Sequence, residues 1–127
     1  MRIEFRKVLS NPRKIDFTCS SDSGFLESDE SASLVGSIER VDSRIIKFQG
    51  EFCARLKLVC VLSSDLFFKT IRQDLTLYFS DGVWDIQSQT SDIDPLEVIE
   101  FFDGFIDFGF ILQGEVESIR LDYNIKE

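Results

Sequence analysis

Between Arg44 and Cys60 the chain alternates. Ile46, Phe48, Gly50, Phe52, Ala54, Leu56, Leu58 and Cys60 form one series and carry no charge. The residues between them, Ile45, Lys47, Gln49, Glu51, Cys53, Arg55, Lys57 and Val59, are mostly polar. A period of two predicts a strand with one face in the core and one in water. A helix would scatter the same apolar positions around its circumference. Straight, this strand would extend roughly 55 Å at about 3.3 Å per residue. A domain of this size cannot hold it straight, so a bend is expected, with Gly50 as its site through a bulge or a barrel corner.

The same pattern places the other elements. Ile3 and Phe5 alternate with charges and predict a short first strand. Asn11-Pro12 is a turn signal, and Lys14–Cys19 reads as a second strand with Ile15 and Phe17 inward. Residues 20–33 are rich in Ser, Asp and Glu and predict a mobile acidic loop, its middle pinned by Phe25 and Leu26. Leu34–Val41 predicts a third strand, joined to the long one by a turn at Asp42-Ser43. Phe67 to Phe79 alternates again, so residues 34–79 form an antiparallel meander, closed by Ser80-Asp81-Gly82. Residues 83–95 read as a polar loop around Trp84, Leu96–Phe102 as a strand, and Asp103-Gly104 as a tight turn. Phe108, Leu112, Val116 and Ile119 then fall at helical spacing behind Asp107, a suitable N-cap. The expectation is a helix over 107–118 and an extended tail. Together these predict one α+β domain over residues 1–127. Its curved antiparallel β-sheet, or partly open β-barrel, is covered by one C-terminal helix.

Composition narrows the function classes. The chain has 127 residues, thirteen of them Phe, and a formal net charge of −9. Such a protein does not coat nucleic acid indiscriminately and attracts basic partners. Histidine is absent, which removes the commonest general base and metal ligand. Cys19, Cys53 and Cys60 form no CxxC pair and read as reduced thiols of a cytoplasmic protein. No signal peptide or membrane span is expected.

Charge is unevenly spread. Lys47, Arg55 and Lys57 point outward on the long strand and Arg72 on its partner, with Arg40 and Arg44 near the hairpin end. This basic face is a candidate for binding RNA or a protein partner. Glu39, Glu51 and Asp74 offset part of it. Residues 80–127 hold twelve acidic and two basic residues. Asp92, Asp94, Glu97, Glu100 and Asp103 form a candidate patch for a basic partner. With Asp81 and Asp85 they could also converge on a divalent cation, although their spacing is not that of an EF-hand. Cys60 lies in the apolar phase of its strand, which reads as a buried thiol; zinc would need about four N or S ligands. No cofactor or metal site is expected.

The runs GEFCARLKLVCVLSSDLFFKTI (residues 50–71) and VIEFFDGFIDFGFILQGEVESI (residues 98–119) resemble the YceD family, the large ribosomal RNA subunit accumulation proteins of bacteria and chloroplasts. Family members show an alternating strand entering a C-x-x-C segment, then an Ile-Asp-apolar helix start and a helix Glu. Cys60 stands at the first cysteine, Ser63 at the second, Ile106-Asp107-Phe108 at the helix start and Glu115 at the helix Glu. Arg120-Leu121-Asp122 replaces the family's apolar-Pro segment. The resemblance covers residues 34–121. It implies a non-catalytic ribosome-biogenesis factor needed for accumulation or processing of large-subunit ribosomal RNA. Its partner would be that RNA or a basic large-subunit ribosomal protein. A carboxylate-based, metal-dependent RNA-processing hydrolase and a small-ligand-binding β-barrel are the alternatives.

Overall fold

The computed structural model describes residues 1–82 and 98–122. Its central element is the expected long strand, β4 (Ile45–Val59). The even-numbered residues from Ile46 to Leu58 are buried or, at Gly50, half-buried, while the odd-numbered ones from Lys47 to Val59 are not buried. β4 lies between β3 (Ser31–Arg40) and β5 (Leu66–Asp81), both antiparallel to it. β2 (Arg13–Cys19) pairs with β3, and β6 (Val98–Phe101) with β5, giving the order β2-β3-β4-β5-β6 in a curled half-barrel. β1 (Arg2–Glu4) and β7 (Phe105–Asp107) make a second, two-stranded sheet. The helix α1 (Phe108–Arg120) follows β7 directly.

The sheet is antiparallel except at one edge. β6 runs parallel to β5, with Tyr78 beside Val98 and Asp81 beside Phe101. The polar loop expected at residues 83–95, Trp84 and the start of the strand expected at Leu96 lie outside the described residues, as does the tail beyond residue 122.

The expected bend is present without a bulge. Every β3–β4 pair from Arg40↔Ile46 to Ser31↔Arg55 stays in register, as does every β4–β5 pair. Gly36 instead faces Gly50, and the two backbones close on each other. A Cβ on Gly36 would lie 2.6 Å from Gly50 Cα, and one on Gly50 2.7 Å from Gly36 Cα and 2.9 Å from the Phe48 ring. Two facing glycines therefore let the sheet curl where any side chain would hold it open.

α1 covers the inner face of the sheet. Phe108, Ile111, Leu112 and Val116 are buried, as helical spacing demands, and the Phe108 ring meets Phe48 and Phe79 edge-on at centroid distances of 6.2 and 6.1 Å. Phe101 bridges Phe79 and Phe5, so phenyl rings fill the interior. Asp107 caps the helix by accepting a hydrogen bond from Phe110 N at 3.2 Å. Phe108 N donates to Met1 O at 3.0 Å, which ties the helix start to the small sheet. Gly104 makes the β6–β7 turn at φ +80°, a conformation that suits glycine. Among the described residues no helix is long and apolar enough to cross a membrane.

Candidate functional site on the outer face of the sheet

The unbroken register turns the outward residues into rows that cross the strands. One row is Thr18–Ser33–Cys53–Arg72, and the next is Ser31–Arg55–Thr70. Lys57 then faces Phe68, and Val59 faces Leu66. On the other side of these rows lies an acidic one, Asp16–Val35–Glu51–Asp74. Arg55, Lys57 and Arg72 are thus brought together toward the β4–β5 hairpin tip. Lys47 is not among them: it sits eight residues before Arg55 on β4, roughly 26 Å away along the strand, between Glu39 and Tyr78.

The first two rows line a shallow groove of about 220 Å³. Its floor is made of small residues, with the hydroxyls of Thr18, Ser31, Ser33 and Thr70 around Cys53, and Arg55 and Arg72 stand beside them. The Arg55 guanidinium carbon lies 4.0 Å from the centre of the Phe68 ring, a cation–π contact. Its Nη1 donates to Asp29 O at 3.0 Å. Arg72 Nη1 reaches Glu51 Oε1 at 3.4 Å on the open surface. Cys53 Sγ donates to the same Glu51 oxygen at 2.8 Å. This hydrogen bond and partial burial push the Cys53 thiol above its ordinary range, so it stays protonated at neutral pH.

Arg55 is held by a loop that is itself anchored deep in the fold. Residues 31–33, expected in the acidic loop, already belong to β3, and Glu30 before them is buried. Glu30 Oε1 accepts from Arg120 Nη2 at 2.6 Å and from Glu27 N at 2.7 Å, and Glu30 Oε2 accepts from Lys57 N at 2.9 Å. Arg120 Nη1 donates to Lys57 O at 3.3 Å. Burial alone would raise the Glu30 carboxyl. The Arg120 bond and the two backbone N–H groups outweigh it and hold the group below its usual value. Asp29, whose carbonyl meets Arg55, immediately precedes Glu30 in the chain.

The remaining candidates are dispersed. Arg40 is structural: its guanidinium donates to Phe5 O, to Val8 O at 2.9 Å and to Ser43 O at 2.8 Å. Arg44 lies 3.5 Å from Asp81 O. Of the acidic patch, Asp92, Asp94 and Glu97 lie outside the described residues. Glu100 is exposed on β6. Asp103 is exposed and pairs with Arg2, whose guanidinium also stacks 4.5 Å over Phe105, and it accepts from Phe105 N at 3.2 Å. Among the described residues no three potential metal ligands converge. Cys60 is buried, and its backbone closes the hairpin turn through Cys60 N to Asp65 O and Ser64 N to Cys60 O, both 2.8 Å. Ser63 is exposed in that turn. Glu115 is half-buried on α1, and burial raises its carboxyl.

Phe68, Asp29, Glu30 and Arg120 were not singled out from the sequence. Phe68 carried a signal, being an aromatic residue in the outward phase of its strand. Comparison with protein-family models, curated proteins and solved structures gave no match to this chain.

Proposed function

We propose that this protein is a non-catalytic assembly factor for the large ribosomal subunit. It acts in the cytoplasm and supports accumulation or processing of large-subunit ribosomal RNA by binding that RNA. The YceD-like run through β4 and β5 and the helix start at Ile106-Asp107-Phe108 support the assignment to ribosome assembly. The observation that carries the binding mode is Arg55, fixed over Phe68 beside Arg72 and Lys57 on an open face. A guanidinium already held in place loses little freedom when it meets a phosphate. In an acidic chain, such a confined basic cluster favours one docking point over general coating of nucleic acid.

Deletion of the gene is expected to lower the ratio of large to small ribosomal subunits in a sucrose gradient. An unchanged profile removes the proposal. Capture of partners from extract with and without ribonuclease then separates RNA from a basic ribosomal protein: loss of ribosomal material on ribonuclease treatment is the expected result.

A further inference from the structure

We infer that the outer-face groove takes single-stranded RNA, with a phosphate between Arg55 and Arg72 and a base against Phe68. This rests on the RNA-binding reading above and assigns its ligand class and contacts.

The geometry selects the phosphate site. Arg55 faces Thr70, and Arg72 is the next outward residue on the same strand, so the two arginines are diagonal cross-strand neighbours. Such neighbours stand about 7–8 Å apart at the backbone, within reach of one anion for side chains this long. Arg55 is pre-set by Phe68 and Asp29 O, and only one of its five N–H groups is committed to that carbonyl. Among the described residues Arg72 meets Glu51 at 3.4 Å, with both side chains exposed, and an incoming phosphate can displace that contact. The groove floor offers four hydroxyls, and these can bond phosphate oxygens or a ribose 2′-hydroxyl.

The surroundings select the strand state. Phe68 is 42% exposed even with Arg55 over it, and Leu66 and Val59 in the next row are 58% and 54% exposed. This apolar shelf suits the flat faces of bases, which only an unpaired strand presents. The acidic row Asp16–Glu51–Asp74 bars the RNA backbone from running toward the far end of the sheet. The path therefore crosses the hairpin tip, and Arg55, Arg72 and Lys57 are the cations on it. Three phosphate contacts give a slope of about −2 in log affinity against log salt.

The test is fluorescence anisotropy of the full chain with a labelled single-stranded RNA of about ten nucleotides, its duplex, and polyglutamate. Salt is varied from about 50 to 200 mM. Single-stranded RNA should bind at least about tenfold tighter than either competitor, with the stated slope. R55A and R72A should each flatten the slope by about 0.7. F68A should cost about tenfold and erase the preference for single strands, while F68W retains it. Equal or tighter binding of duplex or polyglutamate overturns the inference, as does a slope that ignores both arginines. The assembly role is judged separately. If wild-type protein binds no single-stranded RNA yet its deletion lowers the subunit ratio, the groove assignment falls alone. If the RNA binds as described and the gradient is unchanged, the assembly role falls alone.

Discussion

Glu30 and Arg120, ninety residues apart, meet at 2.6 Å and together stand in for a strand. The β3–β4 ladder ends at Ser31↔Arg55, which leaves the backbone of Lys57 one step beyond it. The Glu30 carboxylate accepts the Lys57 N–H and the Arg120 guanidinium donates to the Lys57 carbonyl. Two side chains thus complete the backbone pairing that β3 no longer supplies. Arg120 also sits in the last turn of α1, where a cation favours the helix dipole.

Removing either partner leaves the other without its match. Glu30→Ala strands the N–H groups of Glu27 and Lys57, and Arg120→Ala strands a buried carboxylate. Each should cost about 2–4 kcal/mol in urea unfolding; the figure is below that of a fully buried pair because the Arg120 side chain is 30% exposed. A loss under about 0.5 kcal/mol would mean that water already screens the pair.

The pair also sets an acid limit. The folded-state pKa of Glu30 is depressed, so the folded state binds fewer protons at this site than the unfolded chain. Its stabilisation is therefore present above the unfolded value of about 4.3 and is lost as pH falls through the lower folded value. Wild type should lose thermal stability steeply below about pH 5, and Glu30→Gln should lose that part of the slope. Glu4, lowered by its hydrogen bond to Arg6, contributes in the same direction, so Glu4→Gln measures its separate share of the slope. Equal slopes for wild type and Glu30→Gln would contradict this.

What the sequence disclosed depended on range. The alternation from Ile46 to Leu58 and the Asp107 cap are local patterns, and both were legible. So was the β3–β4–β5 meander, whose turns are short. The parallel pairing of β6 was not, because no local pattern in Val98–Phe101 records the direction of its neighbour. Nor was the Glu30–Arg120 pair: both residues carry ordinary surface character, and nothing local links them. The basic cluster was half legible. Outward phase gave Arg55, Lys57 and Arg72, and the eight-residue spacing already separated Lys47 from them, but only register could set Phe68 beside Arg55.

Gly36 and Gly50 should tolerate no side chain. Gly50→Ala would press a methyl between Gly36 Cα and the Phe48 ring. The backbone cannot yield there without opening the sheet, so a loss of about 2–4 kcal/mol is expected on denaturant unfolding. Gly36→Ala should behave alike. Gly114, with no described atom within 4 Å of its Cβ position, is the contrasting site: Gly114→Ala should stabilise α1 by up to about 1 kcal/mol. A neutral Gly50→Ala would show that the curl does not depend on this contact.

Glu115 runs opposite to Glu30. It lies on α1 one turn from Ile111 and Leu112, both buried, and its carboxyl is raised by burial. A raised folded-state pKa means the folded state binds more protons than the unfolded chain. Stability therefore falls as pH rises from the unfolded value of about 4.3 to the folded one, and the deficit persists at neutral pH. Glu115→Gln keeps the shape and removes the charge. It should raise the melting temperature at pH 7 by about 1–3 °C and make no difference below about pH 3, where both side chains are neutral. A lower melting temperature at pH 7 would show that the charge is engaged rather than merely desolvated.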